Sequence, residues 1–192
     1  GLIGQMELRT ILPYVDVVSF DFVGDDETIE EIYGLRCGVE AYSDTYRLLR
    51  SHTLVVPHIT VGLRGGKLSG EYRALDLIGD LGAEALTFIV FIPTPGTRYA
   101  HCQPPPVEAV AELLGHARRQ FPTIPIHLGC MRPTGSYRDR LDPLALQAGV
   151  NAIVSPARAA RAEALQLGLT AERGDECCAV TFERRVRNER RV

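Results

Sequence analysis

Short apolar runs rich in β-branched residues recur along the chain, separated by longer stretches in which apolar positions return every three or four residues. The runs are Val15–Val23, Leu54–Gly62, Ala85–Pro93, Ile124–Gly129 and Asn151–Ser155. They have the length of strands and do not alternate cleanly between apolar and polar, which is the pattern of strands covered on both faces in a parallel sheet. The intervening stretches carry the helical period. Val39–Arg50 gathers Ala41, Tyr42, Thr45, Leu48 and Leu49 on one side, and Tyr72–Leu81 does the same with Leu75, Ile78 and Leu81. Val107–Gln120 follows three prolines, an entry suited to a helix start. Leu141–Ala148 and Ala157–Leu167 are the last two predicted helices, the latter ended by Gly168.

A strand followed by a helix, repeated along the chain, is the βαβ pattern of a parallel α/β fold. Such strands either form an open doubly wound sheet or belong to a barrel. The dinucleotide fingerprint Gly-x-Gly-x-x-Gly is missing after the first strand, where Phe22-Val-Gly-Asp-Asp stands instead. The 192 residues suffice for one domain, predicted over 1–182 with a charged tail at 183–192. They fall short of the roughly 250 residues of a complete eight-stranded α/β barrel.

Composition narrows the partners. A net charge of −3 offers no electrostatic case for nucleic acid or an anionic membrane. No apolar run approaches the roughly 20 residues of a bilayer span, and no basic-then-apolar leader is seen. Five scattered cysteines, an odd number, argue for a reducing compartment and a cytoplasmic protein.

In parallel α/β folds the chemistry sits at the carboxyl ends of the strands. Asp21, His58, Thr60, Thr94, His127, Cys130 and Arg132 are all at or near such ends. Asp21 within a strand needs a partner or a polar surrounding. A histidine within a strand is more often structural, but His58 and His127 occupy equivalent strand positions, which brings a functional role level with that plain alternative. Arg132 suits a carboxylate or phosphate clamp, a surface ion pair being the plain alternative. Cys130 is a candidate metal ligand, and Cys177–Cys178 is expected to be a solvated thiol pair. No Cys-x-x-Cys is present. A Schiff-base aldolase barrel is disfavoured, because Lys67, the single lysine, lies in a predicted loop.

Several of these stretches resemble the carboxy-terminal portion of radical S-adenosylmethionine enzymes of the biotin synthase and lipoyl synthase group. Val15-Asp-Val-Val-Ser-Phe-Asp is similar to the fourth strand of that group. Thr60-Val-Gly-Leu is similar to the fifth-strand Gly-x-Ile-x-Gly stretch, with Gly62 at the second glycine, His58 at the first and Thr60 at the isoleucine. The acidic residue that ends that motif is out of register, and Glu71 follows a short insertion in its place. Pro93-Thr-Pro-Gly-Thr resembles the turn after the sixth strand. Ile126-His-Leu-Gly-Cys-Met-Arg with Gln147-Ala-Gly-Val-Asn-Ala-Ile-Val resembles the seventh strand, helix and eighth strand.

The resemblance covers Val15 to Leu169 and implies a partial TIM-type (β/α) barrel comprising strands four to eight. It implies a cofactor site of Asp21, His58, Thr60, Gly62, Pro93 and Thr94, and substrate contacts from His127 and Arg132. It also implies S-adenosylmethionine and a [4Fe–4S] cluster as cofactors, with Cys130 ligating a possible auxiliary iron–sulfur cluster. The implied activity is sulfur insertion into an unactivated carbon of a lipoyl- or biotin-type substrate, as in two-component lipoyl synthases. The departures are large. The Cys-x-x-x-Cys-x-x-Cys loop and the second-strand glycine motif are absent from the chain. Val56 stands where biotin synthase has a ligating cysteine, and His127 where it has a ligating arginine. Strands one to three are therefore expected from a second protein or a preceding segment. The contrasting expectation is a non-catalytic half-barrel that completes or regulates a partner subunit.

Overall fold

A computed structural model describes residues 2–175 and 177–179; the predicted tail at 183–192 lies outside them. Five strands, β1 (Val17–Asp21), β2 (Leu54–Val61), β3 (Leu86–Val90), β4 (Ile126–Leu128) and β5 (Ala152–Ile153), form one all-parallel sheet. Each falls inside a predicted apolar run. The strands lie side by side in sequence order, so the winding never reverses as it does in a doubly wound sheet.

Right-handed crossovers wound in one direction bring successive helices onto the same face of the sheet. The core follows that rule. Phe20, Val55, Ile59, Val61, Leu86, Phe88, Val90, Ile126 and Leu128 face the helices and form one buried cluster with them. The helices contribute Ile29 from α2 (Asp26–Tyr33), Tyr42, Tyr46 and Leu49 from α3 (Val39–Arg50), and Leu75 and Ile78 from α4 (Glu71–Leu81). Val110, Leu113, Leu114 and Ala117 come from α5 (Val107–Gln120), and Leu141 and Ala145 from α6 (Ser136–Gln147). α7 (Arg158–Gln166) lies beyond β5 and buries Ala160 and Ala164.

The predicted bounds of α3 and α5 match the observed ones. Two helices were not predicted. α1 (Gln5–Ile11) buries Leu8 alone and so lacks an apolar face. α2 has few apolar positions, yet it is capped: Asp25 accepts the Thr28 N–H at 3.1 Å, and Gly34 at φ 65° ends it. α6 begins at Ser136 rather than Leu141, because Pro143 lies inside the helix instead of opening it.

Two arginines lock the carboxy-terminal half. Below β4 and β5, Arg118 donates to the carbonyls of Gly149, Phe121 and Ile124 and to Asn151 Oδ1, which also accepts the Ile126 N–H. At the opposite end, Arg132 is wholly buried. It grips Asp142 of α6 through Nε at 2.8 Å and a second nitrogen at 2.9 Å, and donates to the carbonyls of Gly129 and Ser155. Asp142 in turn accepts the Ala157 N–H at the start of α7. Arg132 therefore ties β4, β5, α6 and α7 together, which corrects the expectation that it clamps a substrate. Among the described residues no helix is long and apolar enough to cross a membrane.

Removing one partner of a buried bidentate pair strands the other charge. Arg132→Met is expected to cost about 3–5 kcal/mol, read as a lowered urea midpoint. Adding Asp142→Leu should recover part of that loss, and a single variant as stable as the parent would contradict this role.

Candidate functional site

The face of the sheet away from the helices carries the predicted chemistry. Strand register places Asp21 beside His58, His58 beside Thr87, Thr87 beside His127 and His127 beside Ala152. Aligned residues of parallel strands point to one side, so Asp21, His58, Thr87 and His127 form a polar row across four strands. Two residues before His58 and Thr87 that face is apolar: Val56 and Ala85 pack with Val17 and Ala179. The face thus has an apolar floor and a polar level nearer the carboxyl ends of the strands.

The segment 177–179 lies over this row. The Cys178 carbonyl is 2.8 Å from His127 Nδ1, and Cys178 Sγ is 3.6 Å from His58 Nε2. His58 Nδ1 faces the Val56 carbonyl at 3.0 Å, which fixes the ring and leaves Nε2 as an acceptor towards the thiol. Because His58 and His127 flank Thr87, Cys178 spans it. Cys178 is buried and Cys177 exposed, with their sulfurs 3.8 Å apart. The expected solvated thiol pair is therefore half correct.

Burial sets the protonation states. Desolvation pushes the Cys178 thiol up to about 11, with the neighbouring charges of Cys177 and Cys130 adding to the effect. Burial also holds His58 below its ordinary range, against the pull of the Val56 carbonyl and the Asp21 charge. A neutral thiol facing a neutral imidazole results. Thr87 Oγ1, at the centre of the row, is buried with no hydrogen-bond partner.

The mouth above β2 is built by the loop that follows it. Gly62 holds φ 75°, and a Cβ there would meet Pro105 at 2.9 Å, so glycine is required by both backbone and space. Glu71, buried at the start of α4, accepts the Gly62 N–H at 2.8 Å and the Ser69 N–H at 2.6 Å. Desolvation raises its carboxyl while the main-chain donors oppose the shift. A crevice beside this clasp is lined by Asp21, His58, Thr60, Ser69 and Glu71. Outside it, Arg64 pairs with Glu31 and Glu27, each at 2.6 Å, and Tyr99 donates to Glu31. Helix α2 and the loops after β2 and β3 are joined in this way.

Of the predicted site residues, Asp21, His58 and His127 share the row, with Thr60 further along β2 and Gly62 just past its end. Pro93 is half-buried and Thr94 exposed, the Thr94 hydroxyl donating to the Ile92 carbonyl within its own turn. Cys130 is exposed at the end of β4. Thr87 was missed, although it is the one polar side chain in Leu86–Val90. Among the described residues no group of three or more His, Cys, Asp or Glu side chains could hold a metal ion. Compared with protein-family models and with curated proteins, the chain matches none.

A buried histidine held below the ordinary value of 6.5 links stability to pH. Between the folded and unfolded pKa values the unfolded chain binds more protons. Stability is therefore expected to fall as pH drops below 6.5, and to be insensitive to this group above it. Urea midpoints measured either side of that value check the slope, which His58→Gln should flatten. An unchanged slope would remove His58 as its source.

Proposed function

We propose that the chain is the strand-four-to-eight portion of a TIM-type barrel of the radical S-adenosylmethionine kind, acting in sulfur insertion into an unactivated carbon of a lipoyl- or biotin-type substrate. The observation that carries this reading is the clasp of Glu71 on the Gly62 N–H. It closes the loop after β2 at the glycine that resembles the family's adenosine-binding stretch, and it supplies the acidic residue that is out of register in the sequence. Strand order supports it as well, since a sheet wound one way is the local pattern of a barrel.

The residues present fit part of the cofactor set. The polar row and the Thr87 hydroxyl offer donors and acceptors to a polar ligand, with the 177–179 segment covering His58, Thr87 and His127. The chain has no Cys-x-x-x-Cys-x-x-Cys, so the radical-generating cluster finds no ligands here and no step through it is derived. S-adenosylmethionine and that cluster would supply the 5′-deoxyadenosyl radical. In this reading Thr60, Gly62 and the Ile92–Thr97 turn border the adenosine. Asp21, His58 and His127 orient the ligand, and Cys130 is the auxiliary-cluster ligand. The second reading, a non-catalytic half-barrel, draws on β1 and β5, which are the two edges of the sheet among the described residues.

Equilibrium dialysis of S-adenosylmethionine against the chain, alone and mixed with a polypeptide bearing the cluster motif, tests the first reading. Binding weakened several-fold by Thr60→Val is expected, and no binding in either condition would sink it. Cys130→Ala should lower the iron content of the reconstituted complete enzyme. Unchanged iron would reject Cys130 as a ligand.

A further inference from the structure

The segment 177–179 sits on the polar row much as a ligand would. The Cys178 carbonyl accepts from His127 Nδ1 at 2.8 Å, and Cys178 Sγ stands 3.6 Å from His58 Nε2. The next residue, Ala179, packs into the apolar floor of Val56 and Ala85. His58 Nδ1 is turned to the Val56 carbonyl, so the segment offers its S–H to an acceptor at His58 and its carbonyl to a donor at His127.

The match stops at Thr87. Its hydroxyl lies in register between the two histidines, is buried, and has no partner. A buried hydroxyl left unpaired is costly, so a ligand that bonds all three groups outdoes the chain's own segment. The segment is also lightly held. A thiol is a weak donor and alanine buries little apolar area, which leaves the bond to His127 as the strongest link. The sheet beneath is held by pairing along five strands and by the helices on its far face. Segments with so few contacts open locally while the rest of a fold stays intact. We propose that residues 177–179 form a displaceable strap, which closes the row of His58, Thr87 and His127 until a hydroxyl- or amide-bearing ligand takes its place. Over the row such a ligand presents what Cys178 presents, a donor to His58 and a carbonyl-type acceptor to His127, and adds a partner for Thr87. The strap rests on the proposed function only in taking this row as the ligand's place.

Diethyl pyrocarbonate, which acylates accessible imidazoles, reads the strap in the intact full chain. Peptide mass mapping separates His58 and His127 from the exposed His52 and His101, which serve as references in the same sample. In the parent, modification of His127 should be slow and flat at low urea, because opening the strap exposes little surface. A rate that climbs from zero urea with the slope of global unfolding makes the segment a fixed part of the fold and overturns the strap. Ala179→Asp sets a carboxylate on the apolar floor. It should speed modification of His58 and His127 at least about tenfold, with the reference histidines and the urea midpoint unchanged. Unchanged rates at His58 and His127 in that variant also overturn the strap. A ligand's apparent affinity scales with the fraction of chains that are open. S-adenosylmethionine should therefore bind Ala179→Asp more tightly than the parent, by the factor seen in the histidine rates, and equal binding overturns control of the row by the strap. Binding to neither chain counts against the cofactor reading alone, and the histidine rates then decide the strap, so the two proposals fail separately.

Discussion

Winding a parallel sheet in one direction gives it two unlike faces. Each right-handed crossover returns the chain on the same side, so the helices bury one face completely. Phe20, Ile59, Phe88 and Leu128 pack beneath α2 to α6 as a result, and among the described residues no helix joins the small cluster on the other face. Parallel strands are nevertheless seldom left bare on a face. The apolar floor of Val56 and Ala85 under Ala179, and the polar row above it, follow from that requirement. What positions Asp21, His58, Thr87 and His127 together is the register of the strands rather than any contact among their side chains.

The strands were legible because burial on both faces leaves continuous apolar runs, and α3 and α5 because each shows a wide apolar stripe. α1 and α2 were not, since they bury one and two residues respectively. α2 rests on its Asp25 cap and both on tertiary packing, which periodicity does not weigh. The two histidines were recognisable as a pair because equivalent strand positions share a face. Thr87 escaped notice because a threonine in a strand is ordinarily a β-former and little more.

Arg132 shows where residue type misleads. An arginine at a strand end is chemically equipped to grip an oxyanion, and here the oxyanion is the chain's own Asp142. Desolvation makes such a pair costly to assemble and more costly to break, and the surrounding carbonyls of Gly129 and Ser155 complete its hydrogen bonding. Glu71 is the converse case. Its partner Gly62 lies nine residues away, and the fold converts an out-of-register carboxylate into the fastening of the loop. In both cases the sequence names the functional group and the fold supplies its partner.

The strands join only their sequence neighbours, so the sheet can grow one unit at a time, each loop closing over a modest length of chain. The contact between Cys178 and His58 is of another order, spanning 120 residues. Loop-closure entropy rises only slowly with length, about 0.6 kcal/mol per doubling, so the span itself is inexpensive. Its consequence is temporal: the surface that receives Cys178 exists only after β2, β3 and β4 have paired, so this contact forms after those pairings.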